Sequence, residues 1–382
     1  MDDTKFRNFL FLKLIFLSSV TFLFFISYIL KSFQLLSLSV TSLILLGFFF
    51  KRINKNFLLI LFSISFVFTF IEFFFFFINH KVDFLLKKKD NILKDVKYQK
   101  SYLGYQPAPG IQNHLIISNG KTIIDSTYTI GKDGFRVTPR DNNIDYYKNI
   151  NFFGGSYTFG WGLNDNETLP YFLQKERQNW KVKNFAINGY GAHQMLAQIE
   201  NDSKILKEIN ILITANFHAV RSSCKTNYSF GTPKYIIDDN QNLIRSGYCR
   251  NLLLKEFQLP KIFGSIINRS EIKKLLDKVF AKQNDINSKD IDIYISIIKK
   301  IKKLINENNK EFVVGYIETN FYDSYDIDDI IFEKFKKENI DYINLSLEPK
   351  KEYELYNGHP NKEGNIKRSL IILEHIKTLT NK

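Results

Sequence analysis

Several residue types are scarce. The 382 residues include two cysteines, two tryptophans and six histidines. Two cysteines exclude a disulfide-stapled scaffold. Cys224 and Cys249 lie 25 positions apart with no C-x-x-C or zinc-ligand spacing, which argues against a metal site and leaves one disulfide open if the chain is extracytoplasmic. No internal repeat is visible, and no low-complexity tract beyond a run of phenylalanines. The net charge is +14, but the lysines are scattered among Asn and Ile and no nucleic-acid-binding motif accompanies them, so nucleic acid is not an expected partner.

Phenylalanine is abundant and unevenly placed. Residues 1–80 hold 21 of the 37. The mean hydropathy of −0.18 therefore averages a very apolar head with an ordinary, somewhat basic body, which excludes a disordered chain and a plain cytosolic protein. Three almost uncharged stretches in the head, about 12–30, 32–50 and 57–79, each approach the roughly 20 residues that cross a bilayer core. With no small-residue cleavage site, they predict a retained three-helix membrane domain over 1–80. Lys5, Arg7 and Lys13 flank the start of the first stretch, and Lys51, Arg52 and Lys55 fill the second loop. The positive-inside rule then puts the N-terminus in the cytoplasm and the body outside, although Lys81 and Lys87–Lys89 follow the third stretch. Glu72, within that stretch, is either an intramembrane functional group or a locally paired one near the membrane surface.

Residues 81–100 read as a Lys-rich juxtamembrane linker, and 101–382 as the folded body. Short apolar runs at 149–153, 182–187, 209–215, 311–317 and 341–345 predict strands. Helical periods follow near 167–178, 192–207, 289–308, 327–338 and 361–379. This alternation predicts an α/β fold with a parallel sheet covered on both faces. Residues 222–287 interrupt it as an insertion containing a hairpin, PKYIIDDNQNLIRSG.

Sites in open parallel sheets form at the carboxyl ends of strands. After the first strand comes Gly154-Gly155-Ser156-Tyr157-Thr158-Phe159-Gly160. A serine behind two glycines at a strand–helix turn is an exposed nucleophile position, or an N-cap in a Gly-rich turn. It is not the G-x-S-x-G elbow, because position 158 is Thr. After the second comes Asn188-Gly189-Tyr190-Gly191, where the Gly189 N–H can point into a site. Gln194 breaks G-x-G-x-x-G and removes the dinucleotide reading. After the third comes Asn216, whose amide suits an oxyanion donor or a loop brace. His218 and Arg221 follow it, placed to bind a substrate carboxylate or phosphate or to lie in a solvated turn. Of the six histidines, only His359 occupies a Gly/Pro-punctuated loop directly before a helix, a suitable place for a general base.

Together these blocks resemble the SGNH (GDSL-type) hydrolase family. Phe153-Gly154-Gly155-Ser156-Tyr157-Thr158-Phe159-Gly160 is the most specific, supported by Glu167-Thr168-Leu169. Gly189 matches the family's oxyanion glycine, Asn216 its asparagine and His359 its C-terminal histidine. Tyr102-Leu103-Gly104-Tyr105 and Asp133-Gly134-Phe135-Arg136 are similar to lead-ins of membrane-anchored members. The resemblance covers roughly 101–382. It implies a flavodoxin-like doubly wound sheet, no metal or other cofactor, and hydrolysis or transfer of ester-linked acyl groups. The chain departs from the pattern twice. The third block reads Thr214-Ala215-Asn216-Phe217 where the family has G-x-N-D. The acid expected two or three positions before the histidine is replaced by Asn357 and Tyr356. Asn357 can accept from the His359 ring and set its tautomer but cannot balance an imidazolium, and Glu352 or Glu354 could substitute.

The expected function is therefore a membrane-anchored serine esterase of acylated envelope glycans or lipids. Ser156 is its nucleophile, His359 its base, and Gly189 and Asn216 its oxyanion donors. The same residues suit an O-acyltransferase, and Asn357 also fits a non-catalytic module that binds glycan or protein partners.

Overall fold

The computed structural model describes residues 20, 33–47, 54–86, 91–118, 120–141, 143–249, 270–271, 286–319 and 327–380. They form two compact units, one of residues 1–89 with 254–283 and one of residues 90–253 with 284–382. The division falls at 89/90, and the expected insertion is shared between the units.

In the first unit, α1 spans Phe33–Gly47 and α2 Lys55–Leu86. The helices pack through hydroxyls: Thr41 Oγ1 lies 2.6 Å from Ser65 Oγ and 2.9 Å from Thr69 Oγ1. Such pairs bring backbones close where apolar burial gives little drive. Glu72 is buried and accepts from Gln34 of α1 at 3.2 Å, from Ser270 Oγ at 3.0 Å and from the Glu271 N–H. Among the described residues one helix is long and apolar enough to cross a bilayer, over Lys55–Phe77 with a mean hydropathy of 2.4. The second expected span is described over Phe33–Gly47, as the apolar helix α1. Apart from residue 20, the first expected span lies outside the described residues. Over 81–100, expected as a juxtamembrane helix or linker, α2 runs to Leu86 and strand structure covers Asn91–Lys94.

The second unit opens with β1 (Asn91–Lys94), β2 (Tyr98–Ser101), β3 (Gly104–Pro107), β4 (Gly110–Ser118) and β5 (Lys121–Ile130), paired as β1-β4-β5 and β2-β3. Then follow β6 (Lys148–Gly154), α3 (Ser156–Phe159), α4 (Leu169–Glu176), β7 (Trp180–Asn184), α5 (Ala192–Asn201), β8 (Ile209–Thr214) and α6 (Phe217–Ser222). The expected hairpin is β9 (Pro233–Ile237) with β10 (Leu243–Tyr248). The chain closes with α7 (Ser288–Glu307), β11 (Glu311–Tyr316), α8 (Ile327–Lys337), β12 (Tyr342–Asn344), α9 (Lys350–Tyr353) and α10 (Lys362–Thr380).

Five strands form one parallel sheet in the order β12-β11-β8-β6-β7. Counted along the chain this is 2-1-3-4-5, the doubly wound flavodoxin-like order. Alternation along each strand feeds two cores. Ile209, Ile211 and Ile213 of β8 face the layer holding α4 and α10, whereas Leu212 joins Phe153 and Tyr316 under α5, α7 and α8. The packing of α7 follows from its sequence. Asn287 caps it with Asp290 reaching back, and Ile291, Ile295, Ile298, Ile301 and Ile305 recur at helical spacing along one buried stripe. The connection from β6 runs out to β7 and returns to β8 on the other side. The carboxyl ends of β6 and β8 therefore flank the switch point, where open α/β sheets form their crevice.

Cys224 and Cys249 are joined in a disulfide that ties the end of α6 to the end of the β9–β10 hairpin. Closing a 25-residue separation restricts the unfolded chain by about 3 kcal/mol. Replacing both cysteines with serine is expected to lower the midpoint of thermal unfolding of the second unit. An unchanged midpoint would mean that this link contributes nothing.

Candidate active site

Ser156 stands two residues beyond the end of β6, after Gly155, and starts α3. The chain makes this turn through Gly154 at φ +150° and leaves α3 through Gly160 at φ +85°, conformations that L side chains rarely adopt. At Gly154 a Cβ would also lie 2.7 Å from the Ile213 carbonyl of the adjacent strand. Ser156 is 7% exposed, and its Oγ lies 2.9 Å from Nε2 of His359, 203 positions away.

His359 is presented by a tight loop before α10. Leu355 N–H donates to the His359 carbonyl at 2.6 Å, Gly358 turns at φ +79°, and Glu354 bridges to Pro360. The ring is placed by aromatic neighbours. Trp161 lies at 4.7 Å between centroids with its plane tilted by 32°, and Tyr157 meets the ring edge-on at 5.4 Å. Among the described residues Nδ1 has no hydrogen-bond partner. Asn357, expected to hold the ring, instead accepts from the His359 backbone N–H at 3.4 Å. Its short side chain closes the loop locally, as Asn does in turns. Glu352 is exposed, and Glu354 is half-buried with its carboxyl pushed up by burial. Burial, with the charge of Arg221 adding to it, lowers the His359 pKa to about 4. The ring is a neutral base across the physiological range.

The other expected residues divide. Gly189, at φ +81°, sits in a turn beside the Ser156 loop, where the Ile187 N–H donates to the Gly154 carbonyl at 3.3 Å. A Cβ on Gly189 would lie 2.4 Å from the Tyr105 hydroxyl and 2.7 Å from the Tyr228 ring. Asn216, expected as an oxyanion donor, is 2% exposed and turned away. Its amide donates to the Thr319 carbonyl at 3.1 Å and to Asp328 at 3.5 Å, and its oxygen accepts from Thr319 Oγ1 at 2.7 Å. It braces the ends of β8 and β11, so the oxyanion role is not available to it in this arrangement. His218, expected to meet substrate, is 1% exposed, with Nδ1 3.0 Å from Thr214 Oγ1, and burial drives its pKa well down. It is a wall residue. Arg221 is half-buried beside Gly155 and donates to the Tyr190 carbonyl at 2.9 Å.

Two segments noted only as lead-ins support the site. Arg136, 2% exposed, donates to the carbonyls of Phe159 at 2.9 Å, Gly160 at 2.7 Å and Leu163 at 2.6 Å, and to Asp165 at 2.8 Å. It clamps the turn that carries Trp161. Tyr105 donates to the Asn188 carbonyl at 2.8 Å and accepts from the Tyr190 hydroxyl at 2.5 Å, holding the Gly189 turn. Trp161 was missed in the sequence; its position five residues after Ser156 in a Gly-flanked turn was the available signal. Among the described residues no three His, Cys, Asp or Glu side chains gather closely enough to hold a metal ion. An alcohol beside a neutral imidazole, at a strand end lined by Gly turns, can attack a carbonyl.

No family model matches the chain, and no curated protein matches it. Solved structures similar to it include the psychrotrophic esterase EstA from Pseudoalteromonas sp., at 13% identity and TM-score 0.32, covering 62% of this chain and 100% of that one. Axe2, an acetylxylan esterase from Geobacillus stearothermophilus, matches at 12% and 0.35 over 61% of this chain and 95% of its own. A member of the lipolytic protein G-D-S-L family from Veillonella parvula matches at 13% and 0.34 over 59% and 96%. Likeness of this order assigns neither substrate nor residue roles.

The Arg136 clamp yields a prediction. Arg136→Met leaves three turn carbonyls and Asp165 without their donor and should destabilise the second unit by about 3–5 kcal/mol. Chemical unfolding measures it, and a loss under 1 kcal/mol would contradict the clamp.

Proposed function

We propose that the chain is a membrane-anchored serine esterase of the SGNH type. In this reading Ser156 attacks the carbonyl of an ester-linked acyl group and His359 takes its proton. The observation that carries it is the 2.9 Å contact between Ser156 Oγ and His359 Nε2, formed at the switch point of a doubly wound sheet between residues at opposite ends of the unit. The backbone N–H groups of Ser156 and Gly189 are the proposed oxyanion donors. His359 then gives its proton to the leaving alkoxide. Water, or a sugar hydroxyl in a transfer reaction, releases the acyl group from Ser156.

The apolar α2 supports anchoring, and the Lys/Arg balance around the head supports a catalytic unit outside the cytoplasm. The Cys224–Cys249 disulfide agrees with that side. An acylated envelope glycan or lipid is the substrate class such a location brings within reach. Tyr356, 54% exposed beside Trp161, gives the His359 side of the site an aromatic shelf suited to the C–H face of a sugar.

One observation favours a second reading. Among the described residues His359 Nδ1 has no partner and no carboxylate there balances an imidazolium, as suits a module that binds an acylated ligand without turning it over. Hydrolysis of p-nitrophenyl acetate by the full chain separates the two. The esterase reading expects turnover that Ser156→Ala reduces to the uncatalysed background. Equal rates in the two proteins would refute it.

A further inference from the structure

The proposed reaction lacks a side-chain donor for the oxyanion, because Asn216 is committed to Thr319 and Asp328. The side chain that faces the nucleophile loop lies further along α6. Nη1 of Arg221 is 2.9 Å from the point where a Cβ on Gly155 would sit, and it donates to the Tyr190 carbonyl at 2.9 Å. Gly155 precedes Ser156 and Tyr190 follows Gly189. The guanidinium therefore stands between the two turns whose N–H groups are the proposed oxyanion donors. Aromatic faces hold it there, with Phe217 at 4.3 Å and Tyr228 at 5.4 Å from the guanidinium carbon. A side chain at position 155 would collide with it, which gives Gly155 a reason beyond turn geometry.

We propose that Arg221 supplies the positive charge that stabilises the oxyanion, in the role the family resemblance gives to Asn216. The inference rests on Ser156 acting as the nucleophile. In the step concerned, Ser156 Oγ bonds to the carbonyl carbon, its proton moves to His359 Nε2, and the carbonyl π pair moves onto the oxygen. That oxygen stays negative until the pair returns, the C–O bond to the alkoxide breaks, and the alkoxide takes the proton from His359. A guanidinium keeps its proton throughout. Fixed in a water-poor site, it requires no reorganisation as charge develops.

The same cation acts on His359. The groups around the ring are Tyr157 of α3, Trp161 of the following turn, Arg221 of α6, and Asn357, Tyr356 and Glu354 of its own loop. Arg221 opposes protonation of the ring. In the free enzyme the two positive charges therefore disfavour each other, and the base stays neutral. Once the oxyanion forms, its charge offsets both. The interaction strengthens in the transition state rather than in the ground state, which is what lowers a barrier.

The test uses the full chain with Arg221→Gln and Arg221→Lys. Two rates are followed: Ser156 phosphonylation by an alkyl fluorophosphonate, and hydrolysis of p-nitrophenyl acetate against pH. Gln retains a donor for Tyr190 but no charge, and Lys retains the charge. Gln should slow both reactions by about 100-fold with little change in KM, and should move the acid limb of the rate profile to higher pH. Lys should fall much less and leave the limb in place. Thermal unfolding establishes that both variants fold. Wild-type rates and an unmoved limb in the Gln variant would overturn the inference. So would equal losses in Gln and Lys with the limb unmoved, which describe a structural pin. A wild-type chain whose Ser156 takes no label would overturn the nucleophile reading and this inference with it.

Discussion

A buried guanidinium has few acceptable surroundings, because every N–H it removes from water needs an acceptor. Arg136 meets that condition by drawing three successive-turn carbonyls and Asp165 around itself, over the faces of Tyr128 and Phe159. The constraint runs both ways. The loop after α3 has to adopt the one path that presents those carbonyls, and that path places Trp161 against the His359 ring. The orientation of the base thus depends on a residue that touches no reacting atom.

The rest of the site repeats this arrangement. Tyr105 grips the Gly189 turn through backbone oxygens, Asn216 locks the ends of β8 and β11, and Asn357 closes the histidine loop. Tyr105, Asn216 and Asn357 each hold backbone. Arg221 stands in the same region, where burial keeps His359, His193 and His218 neutral, with His193 lowered to about 3. In a charge-relay site a carboxylate orients the imidazole and balances its proton. Here the imidazole lies among aromatic neighbours, and in the proposed reaction balance is left to the oxyanion.

Much of this was legible in the sequence, for physical reasons. Strand–helix alternation carries its own period, so β6, β8 and β11 and the helices α5, α7 and α10 fall where apolar spacing puts them. Ser156 and His359 could be picked out because Gly and Pro punctuate their turns. The direction of Asn216 could not, since its partners Thr319 and Asp328 lie more than 100 positions away and local spacing carries no information about them. The same holds for Arg136, visible as part of D-G-F-R but with a role that exists only once β5 and the α3 turn meet.

The central claim is that His359 is a neutral base held on Ser156 by aromatic packing, without a carboxylate. Nitrogen-15 shifts of the histidine rings, followed through a pH titration of the wild-type chain, test it directly. A depressed pKa means that the ring takes its proton only once the pH falls well below the ordinary value of about 6.5. The account predicts a His359 ring that is neutral at pH 6, protonated on Nδ1 with Nε2 accepting from Ser156, and titrating near pH 4. A ring that is half-charged at pH 6.5 or above, with Nδ1–H shifted as in a carboxylate bond, would contradict it.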